Sequence, residues 1–116
     1  MGFIATVEAV ERAVRAHGFV IDRVHDLKAT LASKGFDIQP LRIYEVTSSA
    51  WKDSGRRGEA FAAQCRVHVY EEDGSVFVNA IRPTALCRVL DDSDAADRVE
   101  DVERLLVAFV DAVVTR

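Results

Sequence analysis

The stretch that decides the fold is Cys65–Ile81, CRVHVYEEDGSVFVNAI, which is typical of two strands joined by a tight turn. Asp73-Gly74 is a strong signal for a two-residue hairpin loop, because a type I′ turn needs positive φ at both central positions. With that loop, Glu72 faces Ser75 across the two strands. The loop therefore fixes which residues lie opposite one another along the hairpin.

Alternation along the two strands gives the hairpin two different faces. One face, here called the valine face, is formed by Cys65, Val67, Val69, Val76, Val78 and Ala80. The other, here called the mixed face, carries the aromatic and polar side chains His68, Tyr70, Phe77 and Asn79. A slip of one residue would exchange the faces, so burial of the valines is expected to hold Val69 opposite Val78 and Tyr70 opposite Phe77.

The mixed face is too apolar to be left simply in water. We interpret it as half of a dimer interface or as the wall of a small-ligand pocket, which Tyr44 and Trp51 are expected to join. The alternative is local packing beneath the irregular segment 47–64.

The length and composition indicate one domain spanning residues 1–116 of an ordinary globular protein, with 49% hydrophobic and 29% charged residues. A net charge of −4 provides no electrostatic footprint for nucleic acid. No apolar run is long enough to cross a membrane, and the N-terminus lacks the pattern of a signal peptide. Two cysteines far apart in sequence do not indicate a disulfide framework, so we expect a cytoplasmic location.

Helical spacing recurs at both ends of the chain. Residues 7–17 are predicted to form a helix with Thr6 as N-cap and Gly18 as the residue that ends it. Residues 2–6 are predicted to form a first edge strand. A long terminal helix is predicted from an apolar stripe, widened by Leu105 and Val110, that consists of Val99, Val102, Leu106, Phe109 and Val113.

Between the first helix and the hairpin, strands are predicted at 19–24 and 42–46, with Ile43 alternating against Tyr44 and Val46. A short helix capped by Asp26 and ended by Gly35 separates them. Past the hairpin, a helix is predicted from Pro83 to residue 90.

Several local sequences, in this order and spacing, resemble the bacterial and archaeal family called "domain of unknown function 302". They are Gly18-Phe19, then residues 26–31 (DLKATL) and 40–43 (PLRI), then residues 65–74 (CRVHVYEEDG) and 80–83 (AIRP). The resemblance implies an α+β fold of β-α-β(4)-α type, in which an antiparallel sheet packs against a long C-terminal helix. It also implies homodimers, and it implies no activity.

Cys65 is a candidate nucleophile or redox group if its strand end is exposed and electropositive, and a packed core thiol otherwise. Cys65 and His68 point to opposite faces of a strand, so no metal site is predicted, and no cofactor is implied. We therefore interpret the chain as a homodimeric module that binds a small ligand or partner through the mixed face. The alternative function is a thiol-dependent enzyme or redox protein that uses Cys65.

Overall fold

The computed structural model describes residues 2–48, 64–83, 85 and 93–114. Within these residues the elements follow in the order α1 (Phe3–Ala16), β1 (Phe19–Asp26), α2 (Leu27–Ala32), β2 (Leu41–Ser48), β3 (Gln64–Glu72), β4 (Ser75–Ala80) and α3 (Ser93–Val114). The predicted α+β class, with an antiparallel sheet and a long C-terminal helix, is confirmed.

The four strands form one antiparallel sheet in the order β1-β2-β3-β4, so each strand pairs with its neighbours in sequence. The hairpin has the predicted register, with Val69 opposite Val78 and Tyr70 opposite Phe77. Asp73 and Gly74 have φ values of 51° and 82°, the left-handed conformation that a type I′ loop requires. The hairpin prediction is therefore confirmed in both its loop and its register.

The N-terminal prediction is partly wrong, because residues 3–6 belong to α1 and not to an edge strand. Gly2 is the N-cap, and the Thr6 hydroxyl donates 2.8 Å back to the Gly2 carbonyl from inside the helix. A threonine in a helix can make this bond to the carbonyl four residues earlier, so its hydroxyl need not mark the helix start. Gly18 follows the C-cap with φ 82°, as predicted for the residue that ends the helix.

Both long helices cover the valine face of the sheet. Their buried residues form one core with the strands, made of Val7, Ala9, Val10, Val14, Phe19, Tyr44, Val46, Cys65, Val67, Val69, Val102, Leu106, Phe109 and Val113. Phe109 of α3 lies fully buried with its ring edge-on to Phe19, the centroids 5.6 Å apart. Four residues of the predicted stripe of α3 are thus buried, namely Val102, Leu106, Phe109 and Val113. Leu105 is 38% exposed and does not widen the stripe.

The short α2 begins at its predicted cap, where Asp26 Oδ1 accepts the Ala29 backbone N–H at 3.0 Å. Most of the predicted helix from Pro83 to residue 90 and most of segment 47–64 lie outside the described residues, as does Trp51. In the described part of the chain, no helix is both long and apolar enough to cross a membrane.

Candidate functional site

The mixed face is organised around a pair of stacked aromatic rings. Tyr70 and Phe77 face each other across the hairpin with their ring centroids 5.3 Å apart and their planes 23° apart. Asn79 Nδ2 donates to the Tyr70 hydroxyl over 3.4 Å. Phe77 is still 44% exposed, and Ile81, just past the end of β4, is 59% exposed. The described residues thus leave an aromatic and aliphatic strip open on this side of the sheet.

His68 lies half-buried in the middle of this face, directly between Ile43 of β2 and Asn79 of β4. Cys65, which lies three residues before His68 in the sequence, points to the opposite face, as predicted from their spacing. Within the described ranges, no three His, Cys, Asp or Glu side chains lie close enough to hold a metal ion.

A charged cluster adjoins the aromatic strip on the same face. In the strand register, Glu45 of β2 lies opposite Arg23 of β1 on one side and Arg66 of β3 on the other. Its Oε1 accepts Arg66 at 3.2 Å, and its Oε2 lies 3.2 Å from His25 Nε2. The hydrogen bond to His25, followed by the charge of Arg66, holds the pKa of Glu45 below its ordinary value. Glu45 is therefore an ionised carboxylate at neutral pH, placed between two nitrogen donors.

This cluster was not predicted from the sequence. Alternation alone places Glu45 on the same side of β2 as Ile43, but it does not reveal which strand lies next to β2. Only the strand order β1-β2-β3 brings His25 and Arg66 to either side of Glu45.

The prediction that Tyr44 joins the mixed face is wrong. Tyr44 lies opposite Val67, so it shares the valine face, and it is completely buried there. Its hydroxyl donates to Glu11 Oε2 of α1 at 2.9 Å. Burial raises the pKa of Tyr44 to about 12. Tyr44 therefore acts as a protonated hydrogen-bond donor that ties α1 to the sheet.

Arg42 extends this contact between α1 and the sheet. Its guanidinium lies 4.0 Å from Glu11 Oε2 and 3.4 Å from Asp26 Oδ2. Its Nε is buried and has no hydrogen-bond partner among the residues that the structure describes. Two carboxylates already balance its single charge, so we interpret this cluster as structural and not as an anion site.

Cys65 does not have the environment that thiol chemistry needs. The side chain is only 3% exposed and lies opposite Val46 on the valine face. Burial first, and then the negative charge of Glu103, raise the pKa of the Cys65 thiol to about 12. A nucleophilic cysteine needs access and a lowered pKa. The geometry therefore favours the core-packing interpretation over the thiol-dependent alternative.

Comparisons with known proteins agree with this description of the fold. The sequence model of a family described as "Domain of unknown function DUF302" matches residues 1–54 and 60–113. A search of curated proteins found no match. A solved structure, the "uncharacterized conserved protein DUF302 from Bacillus stearothermophilus", is similar, with a TM-score of 0.81 and 25% sequence identity over 96% of this chain and 90% of that one. The chain belongs to the DUF302 family.

Proposed function

We propose that this protein is a non-enzymatic binding module that forms a homodimer through the mixed face. The observation that supports this proposal is the open strip of Phe77 and Ile81 beside a charged cluster on the same side of the sheet. Exposed apolar patches bordered by polar groups are typical of association surfaces. Because two cysteines far apart in sequence do not indicate a disulfide framework, we place the module in a reducing cytoplasm.

The cross-strand pairs make this face self-complementary. Two sheets can pack face to face about 10 Å apart. Consider a two-fold axis that runs parallel to the strands, midway between the two sheets and in line with the boundary between β2 and β3. Rotation about this axis places β2 of one copy over β3 of the other. Because Glu45 pairs directly with Arg66, the axis places each Glu45 over Arg66 of the second copy. The two ion pairs then become a ring of four alternating charges.

The same operation brings two further pairs of residues together without opposing like charges. Leu41 and Tyr70 are cross-strand partners, so Leu41 of one copy covers Tyr70 of the other. In the same way, Ile43 covers His68. A two-fold interface repeats each favourable contact, so the apolar contact and the ion pair each count twice.

The size of the face indicates a weak dimer. Four strands about 4.8 Å apart and about six residues long present a patch of about 400 Å² per copy. Both copies together then bury about 800 Å², which is below the roughly 1,200 Å² of standard specific interfaces and is the size of a weak, transient contact. We therefore expect a micromolar dissociation constant rather than an obligate dimer.

The test compares two Phe→Glu variants by analytical ultracentrifugation. Phe77→Glu places a carboxylate in the strip of both copies and should leave a folded monomer. Phe36→Glu is the matched control, because Phe36 is 62% exposed in the loop after α2 and lies outside the strip. This control should dimerise like the wild type. Equal weakening of association by both variants would contradict a role specific to the mixed face.

Charge reversal tests the orientation of the two copies. Glu45→Arg alone and Arg66→Glu alone each oppose like charges across the axis and should weaken the dimer. The double exchange restores alternation and should recover most of the affinity. If wild type is monomeric at high micromolar concentration, dimerisation is wrong and a ligand or a segment of the same chain must cover the aromatic strip.

A further inference from the structure

A cavity of about 160 Å³ lies between the end of β4 and α3, away from the mixed face. Its walls are formed by Ala80, Arg82, Leu106, Val107, Val110 and Asp111. An engineered protein cavity of about 150 Å³ accommodates benzene, so this α3–β4 cavity suits a ligand of roughly six to nine non-hydrogen atoms. That is the size of a single small metabolite.

The floor of the cavity is aliphatic. Leu106 is 2% exposed and belongs to the core, while Val110 and Ala80 are partly buried against it. These branched and small side chains offer no hydrogen-bonding group to a ligand. The part of a ligand that reaches the floor must therefore be apolar, and its burial is favourable in proportion to its area.

The rim carries one charge of each sign. Arg82 is exposed and makes no ion pair with any residue in the described ranges, Asp111 included. A guanidinium suits a carboxylate because its planar fork of N–H donors matches the two carboxylate oxygens. Asp111 has other interactions in the fold, but a carboxylate has about four acceptor positions and can take a further donor.

The position of Asp111 in α3 favours a cation there. Asp111 lies in the last turn of the helix, which contains no basic residue. Helix C-termini have a partial negative charge that cationic groups stabilise. An ammonium group at this point therefore interacts favourably with both the carboxylate and the helix end.

We propose that the α3–β4 cavity binds a small aliphatic α-amino acid as its zwitterion. Arg82 binds the carboxylate, Asp111 binds the ammonium group, and the aliphatic side chain lies on Leu106 and Val110. This site is on the opposite side of the sheet from the proposed dimer interface, so failure of one proposal does not contradict the other.

The experiment titrates the whole protein with leucine and follows the backbone amide resonances of Ala80 and Val107 by NMR. Two analogues isolate the charges: 4-methylpentanoate lacks the ammonium group, and 3-methylbutylamine lacks the carboxylate. Leucine should shift these resonances to saturation, and each analogue should bind at least about tenfold more weakly.

Variants assign the two charges to their residues. Arg82→Gln should abolish saturable leucine binding. Asp111→Asn should remove the preference for leucine over 4-methylpentanoate. The matched controls Arg12→Gln and Glu8→Gln, at exposed positions of α1, should bind leucine like the wild type.

Three results would overturn the proposal. The first is the absence of saturable shifts at millimolar leucine. The second is unchanged leucine binding in Arg82→Gln. The third is wild-type binding of 4-methylpentanoate as tight as that of leucine, which would exclude recognition of the ammonium group.

Discussion

Replacement of Phe109 by alanine tests whether α3 completes the core. Phe109 is completely buried, edge-on to Phe19 and 6.3 Å from the ring of His17 at the end of α1. Phe→Ala changes at such positions reduce the free energy of unfolding by about 3–5 kcal/mol, since they remove apolar contact and leave a cavity. A chain of this length has a total stability of about 6–17 kcal/mol. The variant should therefore lose a large share of its stability.

The assay is urea unfolding at low micromolar protein, where a weak dimer is dissociated. With a slope of about 2 kcal/mol per molar urea, the midpoint should fall by about 2 M. Leu105→Ala is the matched control on the same helix, because Leu105 is 38% exposed and its truncation should cost less than about 1 kcal/mol. A loss below about 1 kcal/mol for Phe109→Ala would refute the proposed packing of α3.

Three further outcomes follow from the turn and the buried thiol. Gly74→Val should lower the free energy of unfolding by about 1–2 kcal/mol in urea because φ is 82°, whereas Gly74→Asn should lose less, and equal losses would contradict the positive-φ explanation. Cys65 should resist a neutral alkylating reagent at pH 7 until the protein is unfolded, and rapid labelling of the native state in peptide mass analysis would restore the thiol hypothesis. Because the folded-state pKa of Cys65 lies above its ordinary value of 9.0, its stabilising contribution is full below pH 9 and is lost as the pH rises toward about 12. Cys65→Ala should therefore flatten the alkaline decline in stability measured by urea unfolding, and an unchanged decline would contradict this assignment.

The hairpin could be predicted in full because its information is local. Asp73-Gly74 sets the loop length, and alternation then determines every cross-strand pair. The terminal helix could equally be predicted, because the stripe that includes Leu106 and Phe109 repeats with helical spacing. The start of α1 could not be predicted from the sequence. The Thr6 hydroxyl can cap a helix or donate to a carbonyl within one, and the choice depends on the preceding backbone.

The candidate site was harder to predict from the sequence, because it depends on which strands become neighbours. Alternation already grouped Tyr44 with Val46, yet the side of the sheet that this pair occupies is set by pairing with β3, about twenty residues further along the chain. The cluster of His25, Glu45 and Arg66 likewise joins three strands. Local sequence patterns do not contain these long-range pairings.

The most direct test of the central claim is an isotope-filtered NMR experiment on a mixed sample of labelled and unlabelled protein at high micromolar concentration. Such a spectrum reports only contacts between different copies of the chain. The proposed two-fold arrangement requires a contact between the Leu41 methyl groups of one copy and the Tyr70 ring of the other. A spectrum with no contact between copies at these residues would contradict dimerisation through the mixed face.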